Sequence, residues 1–437
     1  MRFTCALLSF NRRLSRRAAE TKDALGPKFS HLMTLGGLYL FLSVVLIISP
    51  VCAEDRGWRL AGIPLVGYNL ERGLGGGAYL AAFDKRPLAQ GQRGVRYNYS
   101  VNATLLWTTR GYQNHRLMFD APYLTHEALR LRVIFGFETQ KDGWYSGVGT
   151  PPALRDQSLE QRDYFHGLTS LWLMSSLTQP LSALHPALTI ALGWMVRDVT
   201  TEIQTQSLIN TERPQGFEGG LLSAAQLSLS WDSRDREPDT SHGVWTEIST
   251  RVSHPTLLSD WTYHGLNVTY RHYIQLSRTP YVVYAHRIGL DQQWGSPPYF
   301  QRGMMGGTQW TELGGNSALR GYKFGRFRSN LSLYLSQELR MRITRLRFKK
   351  RPIDVIATPL LDLGYLRGYN ESSRPANARA SNDWLWGSAG AGLRLVYDEG
   401  IVIRADLMWA YERYVLDQGQ IEARPQLGFF IMTGHSF

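Results

Sequence analysis

Gly73-Leu74-Gly75-Gly76-Gly77-Ala78 has the spacing of a dinucleotide-binding turn, GxGxxA. Its glycines would let backbone N–H groups close on a pyrophosphate, but that chemistry needs a helix to open directly after the turn. Here Tyr79-Leu80-Ala81-Ala82-Phe83 continues as strand, so glycines that allow a strongly curved strand to bend are the better reading. A nucleophilic serine would sit in GxSxG, and no serine has glycines at both positions. HExxH and carboxylate-rich metal motifs are absent as well. The eleven histidines are isolated or near turns, as are His126, His185 and His242, which reads as solvated or interfacial imidazole. These observations predict no enzyme activity, no catalytic residue, no bound metal and no cofactor.

The charged residues that remain sit in alternating runs. Over 330–343 one face reads Leu331, Leu333, Leu335, Gln337, Leu339, Met341, Ile343, and the other Ser332, Tyr334, Ser336, Glu338, Arg340, Arg342. Ile401, Ile403, Ala405, Leu407 and Trp409 alternate in the same way with Val402, Arg404, Asp406, Met408 and Ala410. Period two is the signature of a strand with two different faces. Arg, Asp and Glu in mid-strand suit a wet lumen better than one side of a soluble sandwich. Sixteen such segments fall near 62–69, 74–84, 94–108, 111–121, 127–139, 161–177, 187–203, 219–232, 243–254, 261–276, 279–291, 330–343, 353–366, 386–397, 400–412 and 424–437. Links after odd-numbered segments include the long 140–160, 204–218, 292–329 and 367–385, whereas links after even-numbered ones are mostly short. Long loops at one end and tight turns at the other predict an all-β transmembrane antiparallel barrel of about sixteen strands, in the bacterial outer membrane.

Composition agrees: 22 Tyr, 17 Phe, 13 Trp and 42 Gly fit many strands, tight turns and interfacial aromatic rings. The net charge of +12 is scattered among acids and forms no nucleic-acid stripe, so no nucleic-acid partner is expected. The one continuously apolar stretch, Leu35 to Ser49, follows Arg12, Arg13, Arg16, Arg17, Lys22 and Lys28 and precedes Val51-Cys52-Ala53. That three-part pattern predicts a signal peptide over 1–53, cut after Ala53, with Met33 as an alternative start. An uncleaved anchor would need more length, and a lipoprotein signal ending at Cys52 has Ser49 and Val51 where a lipobox wants other residues. Both cysteines, Cys5 and Cys52, lie in the segment removed, so no disulfide framework is expected. The rest, 54–437, reads as one barrel domain. Its last residue, Phe437, closes an apolar final strand and reads as the C-terminal sorting signal of an exported barrel.

The long connection 292–329 carries Leu319-Arg320-Gly321-Tyr322. This run resembles the (V/L)RG(F/Y) signature of the BamA/TamA-like outer-membrane assembly superfamily, the bacterial surface-antigen barrels. Further matches follow in the family's order. Trp231-Asp232-Ser233-Arg234-Asp235 with Pro238 and Gly243 resembles its D(S/T)RD…P…G turn, and Tyr145-Ser146-Gly147-Val148-Gly149 its YxGxG loop. Ser336-Gln337-Glu338-Leu339-Arg340 resembles the acidic strand after the signature, Leu361-Asp362-Leu363-Gly364 the DxG strand, and Ile403-Arg404-Ala405-Asp406 the RxD strand. Glu338 and Asp362 fall on polar faces of neighbouring strands, so Arg320 is expected to fold inward with its loop, pair with both carboxylates and pin the loop as a plug.

The resemblance implies a role in assembling or translocating protein or lipid at the outer membrane. Only about ten residues separate Ala53 from the first strand, so a barrel without periplasmic POTRA modules is expected, and this departure puts the insertase role in doubt. Expected partners are outer-membrane lipid and lipopolysaccharide, with separate periplasmic or outer-membrane proteins. A weak seam between first and last strands is expected from Gly62, Pro64 and Gly67 on one side and Pro425, Gly428 and Gly434 on the other, because proline donates nothing to a ladder and glycine weakens one. A cysteine pair at Val66 and Phe430 would probe it. A passive porin-like channel is the alternative, and an outer-membrane lipid-modifying enzyme has no motif behind it. The basic turn Arg345-Leu346-Arg347-Phe348-Lys349-Lys350-Arg351 suits acidic headgroups or plain solvent.

Overall fold

The computed structural model describes residues 57–69, 71–85, 97–124, 129–149, 153–155, 162–237, 239–348, 351–368, 385–397, 401–416, 420–433, 435 and 437. The expected leader and its cleavage site lie outside these residues, as do Pro238 and Gly434. Sixteen long strands follow one another: β1 (Trp58–Asn69), β2 (Gly73–Lys85), β3 (Tyr97–Thr108), β4 (Gln113–Ala121), β5 (Arg130–Trp144), β6 (Phe165–Pro180), β7 (Leu188–Glu202) and β8 (Gly219–Asp232). The second half comprises β9 (Gly243–Ser253), β10 (Tyr263–Arg278), β11 (Tyr281–Gly295), β12 (Leu331–Phe348), β13 (Arg351–Arg367), β14 (Leu385–Tyr397), β15 (Ile401–Val415) and β16 (Ile421–Thr433). Each pairs antiparallel with the next, and β1 pairs with β16. The cylinder is therefore closed, which leaves backbone polar groups paired within the wall, as a lipid environment demands.

Alternation along each strand sorts side chains between two solvents. On β12, Ser332, Tyr334, Ser336, Glu338 and Arg340 are buried toward the lumen while Leu333 points outward. On β13, Asp354, Thr358 and Asp362 are buried and Leu361 and Leu363 are exposed. Exposed leucines would be a liability in water, but here they form the lipid face. Exposed Trp107, Trp294 and Trp409 lie toward the loop end of their strands, and Trp58 lies at the turn end of β1, the placement of interfacial aromatic girdles.

The longest connections, 145–164, 203–218, 296–330 and 368–384, all leave odd-numbered strands. The expected contrast in length is not uniform. The loop-end links 70–72, 109–112 and 416–420 are short, and the turn-end link 233–242 is long. The last strand also differs from expectation. β16 stops at Thr433, and Phe437 lies inside the barrel against Tyr273, Val283 and Ala285. There the Arg340 guanidinium donates to its main-chain oxygen at 3.2 Å. The guanidinium groups of Arg287 and Arg340 lie over its ring at 4.9 and 5.7 Å, so Phe437 does not end a lipid-facing strand.

Candidate functional site

The 296–330 connection enters the lumen instead of projecting from it. Its signature tip has two residues in the left-handed region, Leu319 (φ 50°) and Gly321 (φ 96°). Gly321 accepts that conformation without strain. The turn aims Leu319 and Arg320 at β13 and Tyr322 at β14.

Arg320 is fully buried. Its backbone N–H and Nε both donate to Asp362 Oδ2 at 2.8 Å, and Nη2 donates to Asp362 Oδ1 at 2.7 Å. Nη1 donates to Glu338 Oε1 at 2.9 Å. The two carboxylates named from sequence thus both meet Arg320. Four further strand residues join the network. Asp406 lies 3.9 Å from Arg320, Arg340 and Arg394 both bridge to Glu338, and Arg394 also pairs with Asp406. Arg404 reaches Asp406 at 3.2 Å and donates to the Asn316 carbonyl of the loop at 2.9 Å. Burial alone would lower the guanidinium pKa of Arg320, but Asp362, Glu338 and Asp406 together hold it above the ordinary value.

Leu319 and Tyr322 fill the spaces on either side. A Cβ added to Gly364 would lie 2.7 Å from Leu319 Cδ1, so the DxG strand supplies a carboxylate for Arg320 and, two residues on, the room for Leu319. Tyr322 packs against Phe327 and Trp386, all three rings edge to face with centroids 5.1–5.5 Å apart. Its hydroxyl donates to the Gly387 carbonyl at 2.8 Å, and burial pushes its pKa up to about 12. Behind the tip, Arg326 forms a bidentate pair with Glu412 at 2.7 and 2.8 Å. Ser146 and Gly149 of the YxGxG-like segment hold the loop's base, Ser146 Oγ donating to the Arg326 carbonyl at 3.3 Å and Gly149 N–H to that of Arg328 at 2.9 Å.

The same tip lies on the seam. β1 and β16 share two residue pairs, Tyr68↔Ile431 and Asn69↔Phe430, whereas β1 and β2 share twelve. The register places Phe430 opposite Asn69, not near Val66, so the informative cysteine pair is Tyr68 with Ile431. Gly67 belongs to the closure itself, since a Cβ there would meet the Ile431 carbonyl at 3.1 Å. Pro64 and Pro425 lie outside the paired stretch, where they face Ala78 and Tyr411 on their other neighbours. Gly428 meets the loop: a Cβ on it would sit 2.6 Å from the Cα of Gly321, and Gln426 donates to the Gly321 carbonyl at 3.0 Å. From the other side, Glu71 in the β1–β2 turn accepts the Phe324 N–H at 3.2 Å, and the Arg72 guanidinium covers the Phe324 ring at 3.8 Å. Phe324 packs with Phe430 of β16. The loop therefore straps the two sides of the closure together. Burial raises the Glu71 carboxyl to about 7, against the pull of Arg72 and Lys323.

A closed sixteen-strand cylinder with a lipid-facing outside, and a charged loop drawn into its lumen, is an outer-membrane β-barrel. The sequence profile of the Omp85 superfamily domain matches residues 92–421, and the chain belongs to that superfamily. No curated protein matches it by sequence. Among solved structures it is similar to BamA from Haemophilus ducreyi lacking POTRA domains 1–3, with 16% identity over 87% of this chain and 70% of that one and a TM-score of 0.56. It is also similar to CdiB from Escherichia coli, with 12% identity over 86% of this chain and 62% of that one and a TM-score of 0.51. At these identities the likeness is one of fold.

Proposed function

We propose that the barrel acts in outer-membrane protein insertion or translocation by parting at the β1–β16 seam, with the Arg320 loop as the strap that holds the seam shut. The observation that carries this reading is the two-pair closure with the signature loop bonded to both of its sides. Backbone pairing is what makes a barrel wall costly to open. Here little pairing has to be given up, and the loop is held to the two sides by single hydrogen bonds and by packing around Phe324. Membership of the Omp85 superfamily supports the same reading. Lipid is a natural partner of the β12–β13 turn, where Leu346 is exposed and Arg345 is held by Asp354 at 2.6 Å. Client proteins and any separate periplasmic partner belong to the proposal also, as does the signal-directed route to the membrane.

The test is a reversible lock. Tyr68→Cys with Ile431→Cys joins residues that are direct register partners. Proteoliposomes holding the oxidised double variant should fail to insert a denatured small barrel protein, scored by its heat-modifiable gel shift, and should recover on reduction. Equal insertion by the oxidised and reduced forms would remove the seam from the mechanism.

A further inference from the structure

The outer wall of β10 and β11 carries the same five residues twice. Val268, Tyr270, His272, Ile274 and Leu276 point outward on β10, and Val282, Tyr284, His286, Ile288 and Leu290 on β11. Their lumenal neighbours, such as Arg271 and Arg287, are buried inside the barrel. The strands pair His272 with His286, Tyr270 with Ile288, and Ile274 with Tyr284. Antiparallel pairing of a repeated pattern about its own centre makes the Tyr-His-Ile middle of the face two-fold symmetric, up to the bulge at Leu276. An axis normal to the wall between the histidines carries each tyrosine onto the other and each isoleucine onto the other.

This face lies within the band that should meet hydrocarbon. His286 stands eight residues from Trp294 on the same outward face, about 20 Å below it for a strand rising 3.3 Å per residue and tilted near 40°, and so within a lipid band about 25 Å tall. Apolar side chains continue beyond it toward the turn end, as Leu276 on β10 and Val282 on β11. Gln337 of β12 pairs with His286 and extends the polar row. The rings of His272 and His286 meet edge to face at 5.4 Å, and Tyr270 lies 6.1 and 5.7 Å from them. Tyr284 donates its hydroxyl to Gln337. Among the described residues, neither imidazole nor the Tyr270 hydroxyl has a hydrogen-bond partner. Polar groups facing lipid without partners are costly, and ionisable residues at that depth mark function.

We propose that this face is an intramembrane interface at which a second copy of the chain docks, the histidine pair of each copy hydrogen-bonding across the boundary. Acyl chains offer neither donor nor acceptor. A neutral imidazole carries one of each, so a face built around two of them balances itself when it meets its twin, and two-fold pairing is the commonest closed assembly. No seam opening is needed for this contact, because β10–β11 lie well away from β1 and β16 in strand order.

Ile288→Cys, in a chain with Cys5 and Cys52 replaced by Ser, places a thiol beside the histidines. Leu229→Cys on the outward face of β8 is the control. In native membranes, oxidation should give a covalent dimer from Ile288→Cys and at least fivefold less from Leu229→Cys. Adding His272→Leu and His286→Leu should cut the Ile288→Cys dimer at least fivefold while the heat-modifiable gel shift shows an intact barrel. Equal dimer at both positions, no dimer from a folded Ile288→Cys barrel, a crosslink to a different protein alone, or a dimer indifferent to the leucine substitutions would each overturn the proposal.

Discussion

Replacing Arg320 by Ala tests the strap where its energy is concentrated. Asp362 takes three hydrogen bonds from Arg320, and Glu338 one. Glu338 keeps Arg340 and Arg394 after the change, but Asp362 loses the guanidinium that faces it and stays buried. Leaving one partner of a buried pair uncompensated costs about 3–5 kcal/mol, equivalent to about two to three and a half decades in the equilibrium between docked and released loop. Trypsin reads that equilibrium directly. Arg320, Arg326 and Arg328 are buried in the docked loop and Lys323 is half-buried, and cleavage slow relative to reclosing tracks the open population. Cleavage within 321–328 should therefore rise about a hundredfold or more in Arg320→Ala, with the barrel still folded by gel shift. Asp362→Ala should do likewise, and the double variant should be less sensitive than the two single effects added, by 1 kcal/mol or more of coupling. Cleavage within threefold of the unmodified rate, or strict additivity, would refute the strap.

Four further outcomes follow from the same geometry. Single-channel conductance should be small in the unmodified protein and larger in Arg320→Ala; a large conductance in the unmodified barrel would favour the porin-like reading. Gly428→Leu drives a side chain into Gly321, and overpacking of about 1–3 kcal/mol should expose the loop to trypsin without touching a charge; unchanged protection would show that the tip is not seated on β16. Tyr322→Phe removes the hydroxyl that donates to Gly387 and should cost about 0.5–1.5 kcal/mol of loop docking, read as a several-fold rise in the same cleavage. The carboxyl of Glu71 titrates near 7 when docked, above the ordinary 4.5. Its docked state is therefore favoured fully below pH 4.5 and loses ground as pH climbs through 7. Loop release should increase between pH 5 and 8 in the unmodified protein and stay flat in Glu71→Gln, and equal slopes would discount Glu71.

The wall was readable because it is local. Outward leucines and inward Ser, Glu and Arg alternate along β12 and β15 whatever the rest of the chain does, and the sixteen segments found by period lie within the observed strands or overlap them. Glu338 and Asp362 could be named because they lie on the two strands that follow the loop carrying Arg320. Arg394, Asp406 and the Arg326–Glu412 pair were not paired from sequence. Their meeting depends on how far the loop travels across the lumen and on strand stagger around the cylinder, and neither leaves a periodic mark. Gly392 holds the one local hint, since a Cβ there would strike Asp406 and Arg394. The Tyr-x-His-x-Ile repeat was in plain view, but its meaning waited on the register that sets His272 beside His286.

The offset of the closing strands has a geometric corollary. Continued downward from Tyr68↔Ile431, the same register would set His435 against Pro64 and Phe437 against Gly62. An unbent end of β16 would thus find, along β1, a nitrogen with no hydrogen to share and a residue with no side chain to press upon. Inside the cylinder His435 lies 3.2 Å from Asp239, and Phe437 has a ring to meet in Tyr273. The wall is left unzipped below Tyr68 because its final segment is better accommodated elsewhere.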